Sequence, residues 1–190
     1  SAQMRFAQDA DWGFRPGAVI TLEVPTQGNM NALKRDLSAL SGVKSVSLCY
    51  QPPASSSNNF SGVGFDGRAE PEKWLVNNKA ADANYLETFN IGLIAGRNLN
   101  PADSVREFVV NETFVKRMGA ASPEEALNKR MSVGQSKGPI VGVVRDYHNW
   151  SLQESIPAIA FSTSSTDYAV CAVQLRPGNP TATLDQIKAV

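Results

Sequence analysis

Apolar residues fall at every second position over 18–24 and again over 43–50, and at helical spacing between the two runs. Ala18 to Val24 reads as a strand, and Pro25 stops it. Met30, Leu33, Leu37 and Leu40 then line one face of a helix over 26–40. Asn29 or Thr26 supplies its N-cap, and Gly42 stands where a left-handed residue closes a helix. Full burial of those four side chains contributes roughly 6–12 kcal/mol before ordering entropy is subtracted. The pattern predicts a β-α-β unit over the first 50 residues.

The middle of the chain changes character. Residues 51–67 are rich in Pro, Ser, Asn and Gly, which predicts a long loop or mobile edge, with 54–64 its most mobile part. Short elements follow: a strand over 74–81, a helical turn over 84–89, a bend at Ala95-Gly96-Arg97 and a strand over 107–110. A helix over 113–118 is closed by Gly119, and a second begins at Pro123 with Ser122 as N-cap. Strands are expected over 131–133, 139–146, 159–162 and 168–175, and Asn179-Pro180 opens a last helix. The outer order is β-α-β and β-β-α around a β-rich insert. That order suits an α+β fold: a split sandwich with an antiparallel sheet and helices on one face.

Composition narrows the function. Basic and acidic residues balance at 18 each, and no segment is a basic patch, so nucleic acid is a poor partner. No apolar run approaches the ~18–20 residues of a membrane helix, and no signal peptide precedes the first strand. The last residues read as the interior of a helix, so the chain is expected to be excised from a longer membrane protein. Cys49 and Cys171 form neither a metal pattern nor a CxxC pair. Alternation puts Cys49 opposite Val46, Leu48 and Tyr50, and puts Cys171 on the face of Val173 and Leu175. Two small buried thiols are preferred over a disulfide.

Two stretches could carry chemistry. Asp146 and His148, the only histidine, stand two apart at a strand end and could form an acid/base pair. No nucleophile or second metal ligand accompanies them, so polar groups that satisfy a turn are preferred. Gly62 to Gly67 spells GxGxxG, but neither a strand before it nor a helix after it is expected, so a glycine loop is preferred over nucleotide binding. Asn111, within one of three glycosylation sequons, reads as a helix N-cap. Trp12, Phe14, Trp74 and Trp150 read as core or hinge packing rather than a ligand box. No catalytic residue, metal site or cofactor is assigned.

Taken together, several strings occur in a particular order. Gly13-Phe14 is followed by Ser41-Gly42-Val43-Lys44-Ser45-Val46, then by Ala83 to Ile91 (ANYLETFNI) and Ala95-Gly96-Arg97-Asn98-Leu99. Val109-Val110-Asn111-Glu112-Thr113, Met118-Gly119, Ile140 to His148 (IVGVVRDYH), Ser151-Leu152 and Ile156-Pro157 complete the series. The order resembles the extracytoplasmic domain of ABC transporter permeases of the MacB/FtsX-like family, over about 13–190. The resemblance implies a Porter-like α/β subdomain of 1–50 with 138–190, and an inserted β-rich, Sabre-like subdomain of 51–137. It implies the periplasmic domain of an inner-membrane protein, flanked by its own transmembrane helices. It further implies a cytoplasmic ABC ATPase, a second permease copy, and a periplasmic adaptor or hydrolase as partners. The implied action is mechanotransmission without catalysis, by a domain that is monomeric alone. The alternatives are an envelope ligand-binding or adhesion module, and a hydrolase using Asp146 and His148.

Overall fold

Two sheets share this chain, and each is built on its own core. The computed structural model describes residues 4–6, 17–24, 29–147 and 155–190. In chain order the elements are β1 (Met4–Phe6), β2 (Val19–Glu23), α1 (Met30–Ser38), β3 (Val43–Cys49), β4 (Phe60–Phe65) and β5 (Leu75–Ala80). Next come α2 (Tyr85–Thr88), β6 (Leu93–Gly96), β7 (Phe108–Asn111), α3 (Glu112–Met118), α4 (Pro123–Ala126) and β8 (Arg130–Val133). The last are β9 (Ser136–Val144), β10 (Ile159–Ser162), a 3-10 turn (Ser165–Asp167), β11 (Val170–Leu175) and α5 (Pro180–Lys188).

The first sheet has the order β1-β2-β11-β3, with every neighbouring pair antiparallel. β11 thus lies between β2 and β3, and α1 crosses over it, which is the expected split β-α-β. The Asn29 side chain caps α1 by accepting from the Ala32 N–H at 3.0 Å. Asn179 caps α5 by accepting from Ala182 at 3.2 Å, with Pro180 in the first turn. Both helices pack on one face, where Leu37 and Ile187 meet Ile20, Leu22, Val46, Leu48, Cys171 and Val173. Of the four residues expected to line the helix only Leu37 is fully buried; Met30, Leu33 and Leu40, the last beyond the end of α1, lie at the margin of the core, so the gain is less than full burial implies.

Gly42 is needed for a different reason from the expected one. Its φ is not positive. Instead a Cβ there would stand 2.0 Å from Thr183 Oγ1, so Gly42 lets the end of the α1–β3 turn touch α5.

The second sheet has the order β6-β9-β7-β10-β5-β4-β8, and β8 pairs back onto β9, which closes it into a ring. Its interior holds Val63, Phe65, Val76, Phe108, Val110, Met131, Ile140 and Ala160, and α3 inserts Phe114, Val115 and Met118. Trp74 packs edge-on to Phe114 at 5.2 Å, as core rather than ligand contact. Gly119, at φ 83°, closes α3 as expected, and Ser122 caps α4.

Two expectations are corrected here. Residues 60–65 are not loop. β4 pairs with β5 and β8 and buries Val63 and Phe65, because those two alternate onto the core face while the glycines between them leave the outer face bare. Residues 136–144 do not return to the sheet of 1–50. β9 pairs with β6, β7 and β8, and β10 with β5 and β7, so both belong to the closed sheet. The reason lies in the run Ile140 to Val144. Ile140 and Val143 face the ring's interior, while Val141 and Val144 face outwards into a second apolar cluster. A strand buried on both faces needs neighbours on both edges, and β7 is parallel to it. The chain returns to the first sheet only between β10 and β11.

Candidate functional site

The two sheets meet along a seam, and a network of polar side chains lies there. On the first sheet, Cys49 and Val170 face away from α1 and α5. They pack against Val109, Val141, Val144, Ile159 and Phe161 on the outside of the ring, with Tyr85 and Leu86 of α2. The backbone continues across the seam. The Tyr50 N–H donates to the Ala80 carbonyl at 2.9 Å and the Asp82 N–H to the Leu48 carbonyl at 3.0 Å.

Asp82 is the hub. Its carboxylate accepts from Lys34 Nζ of α1 at 2.7 Å, Ser47 Oγ of β3 at 2.7 Å, the Leu48 N–H at 2.8 Å and the Asn84 N–H at 3.0 Å. Lys34 also donates to Asn84 Oδ1 at 2.7 Å. One side chain thereby ties α1, β3 and the entry to α2. Charge-assisted bonds of this kind are roughly twice as strong as neutral ones. Beside it, Ser45 and Thr88 share a buried hydrogen bond of 2.7 Å, and the Tyr85 hydroxyl donates to the Gln51 carbonyl at 3.0 Å. Sequence reasoning missed Asp82. The one local signal was an Asp two residues before a helical Asn, the pattern of an Asx turn.

The two cysteines are free and buried, on opposite faces of the first sheet as alternation predicts. Burial raises both thiols, Cys171 to about 12, with Asp82 adding to the effect. Lys79 of β5 is 5% exposed on the seam side, and burial lowers its ammonium to about 8.

Asp146 has another task. Its Oδ1 accepts from the Thr113 N–H at 3.0 Å and its Oδ2 from Thr113 Oγ1 at 2.8 Å, while its own N–H donates to Glu112 Oε2 at 2.8 Å. This reciprocal pairing caps the first turn of α3. Asn111 completes the cap: its Oδ1 accepts from the Phe114 N–H at 3.0 Å and the Ile159 N–H at 2.9 Å, and its Nδ2 donates to the Pro157 carbonyl at 2.9 Å. Fully buried, Asn111 offers no surface as a glycosylation site. His148, Trp150, Trp12 and Phe14 lie outside the described residues. The GxGxxG string runs along β4 into a turn, with no helix after it. At that end of the ring lies a cleft of about 530 Å³, lined by Phe65, Arg68, Met118, Glu125, Leu127 and Lys129 among others. Arg68 is held over the Phe65 ring at 4.7 Å and donates to the Met118 carbonyl at 2.8 Å. Among the described residues, no cluster of His, Cys, Asp and Glu suits a metal ion, and no helix is long and apolar enough to cross a membrane.

No protein-family model matches the sequence, and no curated protein does. Solved structures do match. The periplasmic region of MacB from Actinobacillus actinomycetemcomitans superposes over 90% of this chain and 80% of its own, with a TM-score of 0.63 at 16% identity. This is the fold of the MacB periplasmic region. The extracellular domain of the noncanonic ABC-type transporter YknZ from Gram-positive bacteria has it too, over 89% of this chain and 86% of its own, with a TM-score of 0.55 at 16% identity. In the MacB-type fold of this chain, the seam is where the split sandwich and the closed sheet join. Asp82, Ser45, Thr88 and Tyr85 all lie on it.

Proposed function

We propose that this chain is the non-catalytic periplasmic domain of an ABC transporter permease, and that it carries movement from the membrane to the periplasm. The observation that carries the reading is the match in fold to the MacB periplasmic region along nine-tenths of the chain. The ordered strings from 13 to 157 agree with it, although at 16% identity the fold is what is shared. The seam supports a mechanical role. An apolar junction crossed by backbone bonds and by the Asp82 network lets two sheets move as one body. Asp146, the candidate acid or base, supports it as well, because both carboxylate oxygens are committed to capping α3.

In this reading the two subdomains follow the sheets. β1–β3 with β11 and α5 form the Porter-like unit, and β4 to β10 the Sabre-like one. The partners are the protein's own transmembrane helices, a cytoplasmic ABC ATPase, a second permease copy, and a periplasmic adaptor or hydrolase. ATP-driven association of the ATPases moves the membrane helices, and the periplasmic domains follow.

Spin labels on the exposed Lys44 and Lys137 positions of the full-length protein, reconstituted with its ATPase, test the proposal. On trapping with an ATP analogue, the distance between the two copies of one label should change by several ångströms, while the Lys44-to-Lys137 distance within a copy stays fixed. If nucleotide leaves the distance between copies unchanged, the domain does not transmit movement. If the distance within a copy changes, the seam is a hinge and not a rigid joint.

A further inference from the structure

The outside of the closed sheet has a bare place. Leu75 and Phe60 are 58% and 52% exposed, more than any other large apolar side chain among the described residues. They stand on adjacent strands. Leu75 pairs with Gly62 and Phe60 with Asn77, so the two side chains flank Gly62 on the face turned away from the core. Gly62 itself answers no need of the fold. Its φ is not positive, β4 keeps its register there, and a Cβ built on it meets nothing within 4 Å. Gly64 differs, since a Cβ there would stand 2.8 Å from Ser132 Oγ. A glycine weakens a strand interior, and it marks places where a ligand or another backbone comes close. Cations border this shelf. Gly64 pairs with Ser132 and Ser132 with Lys137, while Lys73 lies two residues before Leu75; both lysines are exposed. No ion pair or hydrogen bond joins either of them to a described residue. Of the acids that join β4 to β5, Asp66 pairs with Arg130 and Glu72 with Arg68, and Glu70 lies in the connection beyond Gly67.

We propose that this shelf docks an acidic segment of another protein, which seats an aliphatic side chain over Gly62, between Leu75 and Phe60, and sets its carboxylates against Lys73 and Lys137. The missing side chain at Gly62 leaves a recess at the level of the sheet, flanked by apolar walls. A recess of that kind takes an anchoring side chain. A lipid surface takes up protruding apolar groups instead. A second copy of this chain is disfavoured by charge, because face-to-face contact sets the two lysines of one copy against the two of the other. The apolar contact holds the segment, and the lysines at the rim select its sign and speed its arrival. Neither Phe60 nor Leu75 belongs to the seam, and the shelf does not rest on the transporter reading, so either can fail alone.

The test is a phage-displayed library of random peptides, selected on this chain at low salt and counter-selected on Leu75→Ser. Peptides that favour the wild type should carry aspartate or glutamate around an aliphatic residue. A synthetic copy of the most enriched peptide should bind Leu75→Ser at least about tenfold more weakly. Lys137→Glu should weaken it as well and remove most of its salt dependence. Gly62→Leu fills the recess and should abolish binding. Gly62→Ala should leave the thermal midpoint unchanged or raised, since nothing crowds the new Cβ. Leu75 and Lys137 are exposed, so their variants keep the fold and decide the matter even where Gly62→Leu does not fold. A lowered midpoint for Gly62→Ala means that the glycine serves the bend of the closed sheet, and it overturns the proposal. Selected peptides that bind Leu75→Ser equally well, or that carry no acidic excess, overturn it too. The same holds for Leu75-dependent binding to phosphatidylglycerol vesicles in place of peptides, and for a concentration-dependent dimer that Leu75→Ser abolishes.

Discussion

At the scale of residues, the seam rests on a few polar side chains whose partners are far off in sequence. Asp82 draws donors from α1, β3 and α2 while its side chain is only 13% exposed. Removing it strands Ser47 and the Leu48 N–H without an acceptor, and leaves Lys34 without its charge partner. Asp82→Ala should therefore cost about 2–4 kcal/mol in urea unfolding. Lys34→Met should cost under about 1 kcal/mol, because Asp82 keeps its three other donors and an ion pair at a quarter-exposed lysine is weak. Equal losses in the two variants would show that the charge pair matters more than the hub. The cysteines act at this scale as well. Both thiols are fully buried, so native protein should resist thiol reagents until it unfolds, and oxidation should form no intrachain disulfide. Neighbouring strands hold them, but on opposite faces of the sheet.

At the scale of elements, close approach decides what helical caps do not. α1 and α5 are capped by Asn29 and Asn179, which local sequence announces. Their mutual placement depends on Gly42. Gly42→Ala should destabilise by about 1–3 kcal/mol, since the new Cβ overlaps Thr183 Oγ1, Cγ2 and Cβ. Thr183→Ala removes two of those three atoms, so the double variant should recover part of the loss in thermal unfolding. A strictly additive pair would mean that the backbone at 42, and not the contact with α5, sets the cost. β4 belongs to the same scale. Glycine-rich, with Phe60 half exposed, it has little intrinsic preference for a strand and is formed by pairing with β5 and β8.

At the scale of the molecule, two cores are joined by a third apolar cluster, and stability depends on alkaline pH through buried groups. Cys171 is raised from 9.0 to about 12, so the folded state keeps a proton that the unfolded chain loses. The stability it contributes is complete below pH 9 and is lost as pH rises towards about 12. The advantage of wild type over Cys171→Ala in urea midpoints should thus shrink between pH 8 and pH 10.5. A constant difference would show that the thiol is not desolvated. Lys79 acts in the opposite sense over about pH 8 to 10.5, which is why paired variants are needed.

Much of the fold was legible because it is local. Period-two and helical spacing, Asn and Ser caps, Pro at first turns and Gly119 after α3 are set by neighbours a few residues apart. The role of Asn111 as a cap was legible for the same reason, and the alternation of β3 and β11 put the cysteines on opposite faces. What the sequence by itself determined is therefore most of the elements, their order and their apolar faces. Only the tertiary structure decided which sheet receives β9 and β10, that β4 is a strand, that Gly42 serves contact with α5, and that Asp82 gathers partners up to 48 residues away. Asp146 made the same point: two residues from a histidine it suggested catalysis, and a helix start 33 residues earlier claimed its carboxylate. The physical reason is common to these cases. A strand edge, a carboxylate or a missing Cβ is satisfied by whatever the fold brings alongside it, and sequence spacing does not encode that neighbour.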